Sequence, residues 1–463
     1  MFITIVRAIV WLRRDLRLAD NPALTAASKA HDRLIPVYID DSQHKSEGAA
    51  SRWWLHHALK DLRDRLREKG SDLLLFQGES RTILERLRTA VQADAYYWNR
   101  VYEPAMTERD RGIKVGLKNL GLEVRSFKAG LLFEPWEIQT GKKQPFRVFT
   151  PYWKQLLQTG LDPKPLDTSR SIPPLPEPIP DACPLETLKL LPGIGWDRGF
   201  YEAWNPTESS GRERLRLFCE TSLEHYAETR NLPSRNDISR LSPYLHCGQL
   251  SPRQCVAAAT PVEGMDGPWI RELAWREFTH HVLYHYPHTV NRPMDQRFER
   301  FPWVETNAET LARWQQGRTG VPLVDAGMRE LWATGWMHNR ARMVVASFLT
   351  KNLLIHWREG AAWFMDTLVD ADLANNTMGW QWMAGCGADA APYFRIFNPA
   401  LQGEKFDPEG TYVRRWVPEL ADVPAKWIHK PWQTPFKPKD YPEPMVDLKS
   451  SRKRALEHFQ TMK

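Results

Sequence analysis

Apolar and polar positions change rhythm along this chain. Over the first 130 residues, short apolar or β-branched runs at Ala8–Leu12, Leu34–Ile39, Leu73–Phe76, Ala95–Trp98 and Val124–Phe127 alternate with longer amphipathic stretches. Runs this short predict strands, and the intervening stretches, such as Ser51–Lys69 and Ser80–Gln92, carry helical spacing. Strand and helix in alternation predict an α/β domain built on a doubly wound, Rossmann-like parallel sheet. No G-x-G-x-x-G follows the first strand, so a nicotinamide site is not expected there. Met1–Leu12 runs into Arg13-Arg14-Asp15 without a small-residue cleavage site and reads as the first buried strand, not a leader.

Residues 160–195 contain nine prolines, among them Pro173-Pro174, Pro176, Pro178 and Pro180. Fixed φ angles and missing N–H donors at that density predict a linker without regular structure. From about residue 198 the β-like alternation is gone, and Trp269–Tyr284, Pro322–Thr334 and Asn339–Asn352 carry helical spacing. The expected organisation is an α/β domain over 1–130, a Pro-rich linker over 131–197 and an all-α domain over 198–463.

At 463 residues the chain exceeds one typical domain. A net charge of +7 favours a polyanionic partner, with nucleic acid first. No apolar run reaches the roughly 18 residues of a membrane span. Five cysteines without a C-x-x-C pair support neither a disulfide framework nor a zinc or iron–sulfur site, so no metal is expected and a cytoplasmic location is the simplest reading.

Thirteen of the 21 tryptophans lie after residue 260, several close to arginines. Oxidisable indoles beside anion-binding guanidinium groups suggest electron transfer to a large phosphate-bearing cofactor. Glu272, Trp275 and Arg276, spaced i, i+3, i+4, would present a carboxylate, a flat ring and a cation on one helix face. Asn339, Arg342 and Met343 repeat that spacing. Asp372, Asn376 and Trp380 form a stripe, whereas Trp380 and Trp382 lie about 200° apart around a helix and should point to opposite sides. Arg240, within Ser239-Arg-Leu-Ser-Pro, sits where hydroxyls and backbone amides ahead of a helix can cradle phosphate.

Taken in order, Val10-Trp-Leu-Arg-Arg-Asp-Leu-Arg, Tyr226, Ser239-Arg-Leu-Ser-Pro, Glu272-x-x-Trp-Arg, Thr319-Gly-Val-Pro-Leu-Val-Asp-Ala-Gly-Met-Arg, Trp336-Met-His-Asn-Arg-Ala-Arg-Met, Ser347-Phe-Leu-Thr-Lys, Trp357-Arg and Gly379-Trp-Gln-Trp resemble the photolyase/cryptochrome flavoprotein family over nearly the whole chain. Within it the chain is similar to the bacterial class I branch that acts on cyclobutane pyrimidine dimers in DNA. The resemblance implies an α/β antenna domain joined to a helical FAD-binding domain. It implies FAD contacts from Tyr226, Ser239, Arg240, Leu241, Ser242, Trp269, Arg276, Asn339, Arg342, Asp370, Asp372 and Asn376, with Arg342 paired to Asp370. Glu272, Trp275, Met343 and Trp382 would line the lesion cavity, and Arg230, Arg340 and Arg395 would hold phosphates of damaged DNA. Trp380, Trp357 and Trp303 match the relay that reduces the flavin in light.

Asn99 and Glu103 match part of a folate-antenna pattern, but Asn291 stands where some folate-binding relatives carry Lys. The second chromophore implied is thus methenyltetrahydrofolate or a deazaflavin. Two further departures are Ile238 in place of a common Thr and Thr377-Met378 in place of Asn-Gly. The implied activity is light-dependent dimer repair by a monomer. The alternatives are a cryptochrome-type photoreceptor, which needs no intact lesion pocket, and a six-four photolyase, whose branch favours His where this chain has Met343.

Overall fold

The computed structural model describes residues 7–41, 47–166, 172, 179, 181–390, 394–435 and 438–462. Residues 1–6 of the expected first strand and the prolines at 173, 174, 176, 178 and 180 lie outside them. Five parallel strands, β1 (Arg7–Leu12), β2 (Arg33–Asp40), β3 (Leu74–Gln77), β4 (Ala95–Asn99) and β5 (Glu123–Phe127), form one sheet in the order β3-β2-β1-β4-β5. All four pairings are parallel, with Val10 opposite Pro36 on one side and Tyr97 on the other. Every residue of β1 after Arg7 is buried, because helices cover both faces of the sheet. Doubly wound topology follows, as the alternation predicts.

From Arg198 onward the regular elements of the described residues are all helical. The Pro322–Thr334 helix has the bounds read from the sequence, set by proline in its first turn and by Gly335 in the left-handed region (φ 66°) as its C-terminal stop. Asn339–Asn352, expected as one helix, is instead an α-helix over Asn339–Ser347 followed by a π-helical turn over Phe348–Asn352. No Gly or Pro marks the change; the side chains in the turn are buried, and Lys351 Nζ donates to Ala384 O at 2.5 Å.

The stretch 131–197 is more than a linker. It carries the Phe149–Thr159 helix and a 3-10 turn at Leu185–Leu188. Residues 130–146 also dock on the Pro268–His285 helix. Arg276 donates to Gly130 O at 2.6 Å, Leu132 and Phe133 amides donate to Glu277, and His281 bonds Pro135 O and accepts from the Phe146 amide. The two halves also meet at Gly248 (φ 76°), where a Cβ would lie 2.0 Å from Arg14 O, so only glycine allows this approach. Arg17, 1% exposed, bonds Gly248 O and Ala129 O across the same seam.

Candidate functional site

Helices and connecting loops of the helical half converge on two adjoining cavities of about 420 and 330 Å³. The Pro268–His285 helix, started by Pro268, supplies Glu272, Trp275 and Arg276. The Asn339–Ser347 helix supplies Asn339, Arg340, Arg342 and Met343. Its N-cap is His338, whose Nδ1 accepts from the Arg340 amide at 3.0 Å. The Leu373–Ala384 helix is capped by Asp372, which accepts from the Asn375 amide at 2.8 Å, and supplies Asn376, Trp380 and Trp382.

The larger cavity brings together Glu272, Trp275, Met343 and Trp382 with Arg230, Arg340, Asn376 and Trp380. The second is walled by Tyr226, Ser239, Arg240, Leu241, Ser242, Trp269 and Arg276. Asn339, Arg342, Asp370 and Asp372 face both. Trp380 and Trp382 both line the larger cavity but make different contacts: the Trp380 ring packs against Phe364 and Trp314, whereas the Trp382 indole donates to Asp389 O at 3.2 Å. Arg395 lines neither cavity; its guanidinium lies 4.9 Å above the Trp382 ring.

The walls are bound together by charge. Arg342 Nη2 grips both Asp370 oxygens at 2.9 and 3.1 Å, and Ser242 Oγ donates to the same carboxylate at 2.6 Å, so the expected pair is formed. Arg230 pairs with Glu272 at 2.5 Å. Burial would raise the Asp372 carboxyl, but His280 and His246, 3.4 and 3.7 Å away, hold it well below the usual range. Burial, then repulsion from Arg230, pushes the Arg340 guanidinium down, a tension that an anion lying between the two would relieve. Burial and the surrounding arginines hold His338 down at about 3, so its ring is neutral. Its buried Nε2 has no partner among the described residues. Five arginines against three carboxylates, with that N–H unused, suit a large, flat, phosphate-bearing ligand such as FAD.

The expected phosphate cradle stands on the wall of the second cavity: Ser239-Arg-Leu precedes the short Ser242–Cys247 helix, and Ser239 Oγ accepts from the Trp269 indole at 3.3 Å. Arg240, in the left-handed region at φ 49°, has its guanidinium clamped between Trp204 and Trp336, 4.7 and 4.5 Å from their centroids. Trp336 is therefore a wall residue that sequence reasoning quoted without a role. Asn231, which accepts from Arg340 Nη2 at 2.6 Å, and Asn375, which accepts from Thr279 Oγ1 at 2.8 Å, were missed because single asparagines carry no spacing signal. Phe149, stacked on Trp275, was missed because it comes from the supposed linker.

Trp380 and Trp357 are each 2% exposed, and Trp303 is half-buried. Trp380 packs edge-on to Phe364 at 5.0 Å, over Gly360, where a Cβ would sit 2.0 Å from its ring. The antenna candidates have other duties. Asn99, 3% exposed, donates to Asp15 and Asn21 and accepts from the Ala23 amide, so its amide is spent inside the α/β domain. Glu103 pairs with Arg14. All five cysteines are free, and no group of potential metal ligands occurs among the described residues. No helix among them is long and apolar enough to cross a membrane.

Comparison with known proteins joins these observations. Residues 8–177 match the DNA photolyase family, and residues 269–461 match the FAD binding domain of DNA photolyase. The chain is 42% identical over 473 residues to a deoxyribodipyrimidine photo-lyase of Agrobacterium fabrum, covering 98% of each. It is 38% identical over 477 residues to Cryptochrome-2 of Arabidopsis thaliana, covering 96% of this chain and 77% of that one. The crystal structure of a bacterial class III photolyase from Agrobacterium tumefaciens superposes with a TM-score of 0.95 at 42% identity, covering 100% of this chain and 98% of that one.

Proposed function

This chain belongs to the photolyase/cryptochrome family, and on that footing we propose that it repairs cyclobutane pyrimidine dimers in DNA under blue light. The observation that carries the reading is the single cavity shared by Glu272, Trp275, Met343 and Trp382 on one side and Asn376, Arg342 and Asp370 on the other. A photoreceptor has no use for the first set. The likeness to a class III photolyase favours that branch over the class I branch suggested by the motifs.

Bound FAD, fully reduced, would supply on excitation the electron that splits the dimer. The chain's own residues arrange the encounter. Asn376 Nδ2 donates to Ala361 O at 2.9 Å, which fixes a neutral amide on the cavity wall where a carboxylate would add like charge. Arg342, held by Asp370, keeps positive potential beside it. Trp275 and Trp382 offer stacking surfaces to a flipped dimer, at an extrusion cost of a few kcal/mol that is lowest for a damaged step. Glu272, poised by Arg230, offers an acceptor to the pyrimidine edge. Arg230, Arg340 and Arg395 are assigned to backbone phosphates. A second chromophore, folate or deazaflavin, would need contacts other than Asn99.

The test is product analysis by chromatography after blue-light illumination of reduced, FAD-loaded protein with duplexes carrying either lesion. Thymine monomers released from the cyclobutane dimer alone are expected. Repair of six-four products only would overturn the lesion assignment. No repair at all, with reduced FAD verified by its spectrum, would favour the photoreceptor reading that the likeness to Cryptochrome-2 supports.

A further inference from the structure

His356 has no part in either cavity, yet it occupies a particular place. The π-helical turn ends at Asn352, and the chain then reverses through Leu354, a non-glycine residue in the left-handed region at φ 57° that is 0% exposed. Leu354 O accepts from the Val304 amide at 2.9 Å, which draws the Trp303 segment against this turn. His356 follows, with its ring centroid 5.0 Å from that of Trp303 and 5.5 Å from that of Trp357. It lies against both outer indoles of the relay assigned above.

The ring is also fixed in one chemical form. His356 is the N-cap of the Trp357–Thr367 helix, and its Nδ1 accepts from the Arg358 amide at 3.2 Å. A nitrogen that accepts a backbone N–H has no proton of its own, so the imidazole is uncharged with its proton on Nε2. Burial, then Arg358, holds the ring's pKa down at about 4, in agreement with the cap geometry. The buried indole N–H of Trp303 has no acceptor among the described residues, so no described side chain is placed to take its proton when the indole is oxidised to its radical cation.

We propose that His356 is a positioning residue of the light-driven relay, an aromatic bridge that holds Trp303 and Trp357 at transfer distance and keeps added positive charge away from both. In the step it serves, one electron passes from Trp303 to oxidised Trp357, which leaves the cation on Trp303. A soluble thiol then returns one electron to Trp303, becoming a thiyl radical and releasing its proton to water. The ring gains and loses nothing; it fills the gap with polarisable π density and, being neutral, does not repel the hole arriving on either neighbour. The inference rests on the relay reading of Trp380, Trp357 and Trp303, and two variants separate the two ideas.

His356→Asn keeps a good N-cap acceptor while removing the ring, and His356→Asp keeps the cap and adds a negative charge beside both indoles. Transient absorption of the FAD-loaded protein after a blue flash reads the tryptophan radicals directly, with melting temperature and far-UV circular dichroism as controls of the fold. The expected result for His356→Asn is a wild-type melt with electron transfer from Trp303 to oxidised Trp357 slowed tenfold or more and a correspondingly lower yield of long-lived radical. For His356→Asp, a Trp303 radical cation longer-lived than in His356→Asn is expected. Transfer at the wild-type rate in both variants would overturn the proposal and leave His356 a helix cap. Trp357→Phe tests the underlying reading separately: if it still shows a full yield of Trp303 radical, the relay assignment itself fails. A loss of transfer in His356→Asn accompanied by a lowered melt and lost helicity would overturn the bridging role in favour of a structural one.

Discussion

The phenyl ring of Phe149 lies flat on the indole of Trp275, with centroids 3.7 Å apart and planes within 10°. One face of the indole is thereby covered, and any base in the cavity must use the other. Trp275→Ala should lower affinity for dimer-containing duplex by about 1–3 kcal/mol, the range for a lost base–aromatic stack, with little change on undamaged duplex. Phe149→Ala keeps the indole but removes its backing and should cost a smaller part of that. Titration of both duplexes at one fixed salt concentration checks this, and equal losses on the two would make Trp275 a general structural residue.

Asp370 is almost fully buried, with Arg342 and Ser242 both bonded to it. Asp370→Asn leaves the guanidinium without its counter-charge, and the expected loss is at the lower end of the ~2–5 kcal/mol seen on truncating such pairs, because Arg342 is partly solvated. FAD retention through gel filtration should fall sharply. Arg342→Lys keeps the charge but not the fork and should retain an intermediate amount.

Trp380→Phe replaces an oxidisable indole by a ring that still fills most of its space against Phe364 and Trp314. Stability should fall by no more than about 1.5 kcal/mol, as for near volume-conserving core changes. Photoreduction with an external donor should be lost, while protein whose flavin has been reduced chemically should still split dimers. Unimpaired photoreduction would show a different entry route for electrons, and lost repair in the folded, pre-reduced variant would place Trp380 in the lesion chemistry.

Acid should weaken the fold through histidines locked neutral. His281, 0% exposed, donates from Nδ1 to Pro135 O and accepts at Nε2 from the Phe146 amide, and burial holds it down at about 4. Its folded pKa is below the unfolded value near 6.5, so the unfolded chain takes up the proton first. Stability is therefore complete above about 6.5 and is lost as pH falls toward about 4, by about 3 kcal/mol for this residue alone. Melting curves from pH 7.5 to 4.5 should show the decline, and His281→Gln should make it shallower at the cost of a lower melt at neutral pH.

The sheet is legible in the sequence because its first four strands are largely buried and read as apolar runs, while the edge strand β5 is marked only by Val124 and Phe127, with Glu123 and Arg125 exposed; each of the five appears within one residue of where the pattern puts it. Pro322 and Gly335 mark helix ends by chemistry that acts locally, and so does Asp372 as a cap. What is illegible is long-range. Nothing around Phe149 announces that its ring will meet Trp275, and nothing around Arg240 announces the Trp204–Trp336 clamp. Asn99 is a further case: its spacing fits an antenna pattern, and nothing near it in sequence announces that Asp15, Asn21 and Ala23 will surround its amide.

The contacts from residues 130–149 to the Pro268–His285 helix also bear on inheritance. Arg276, Glu277, His281 and Trp275 each take a partner from that earlier stretch. A crossover between two relatives anywhere from 150 to 267 would pair one parent's wall with the other parent's helix. Chimeras of this kind should fold less often than those joined before 130 or after 285, so these two distant stretches are expected to be transmitted as one unit.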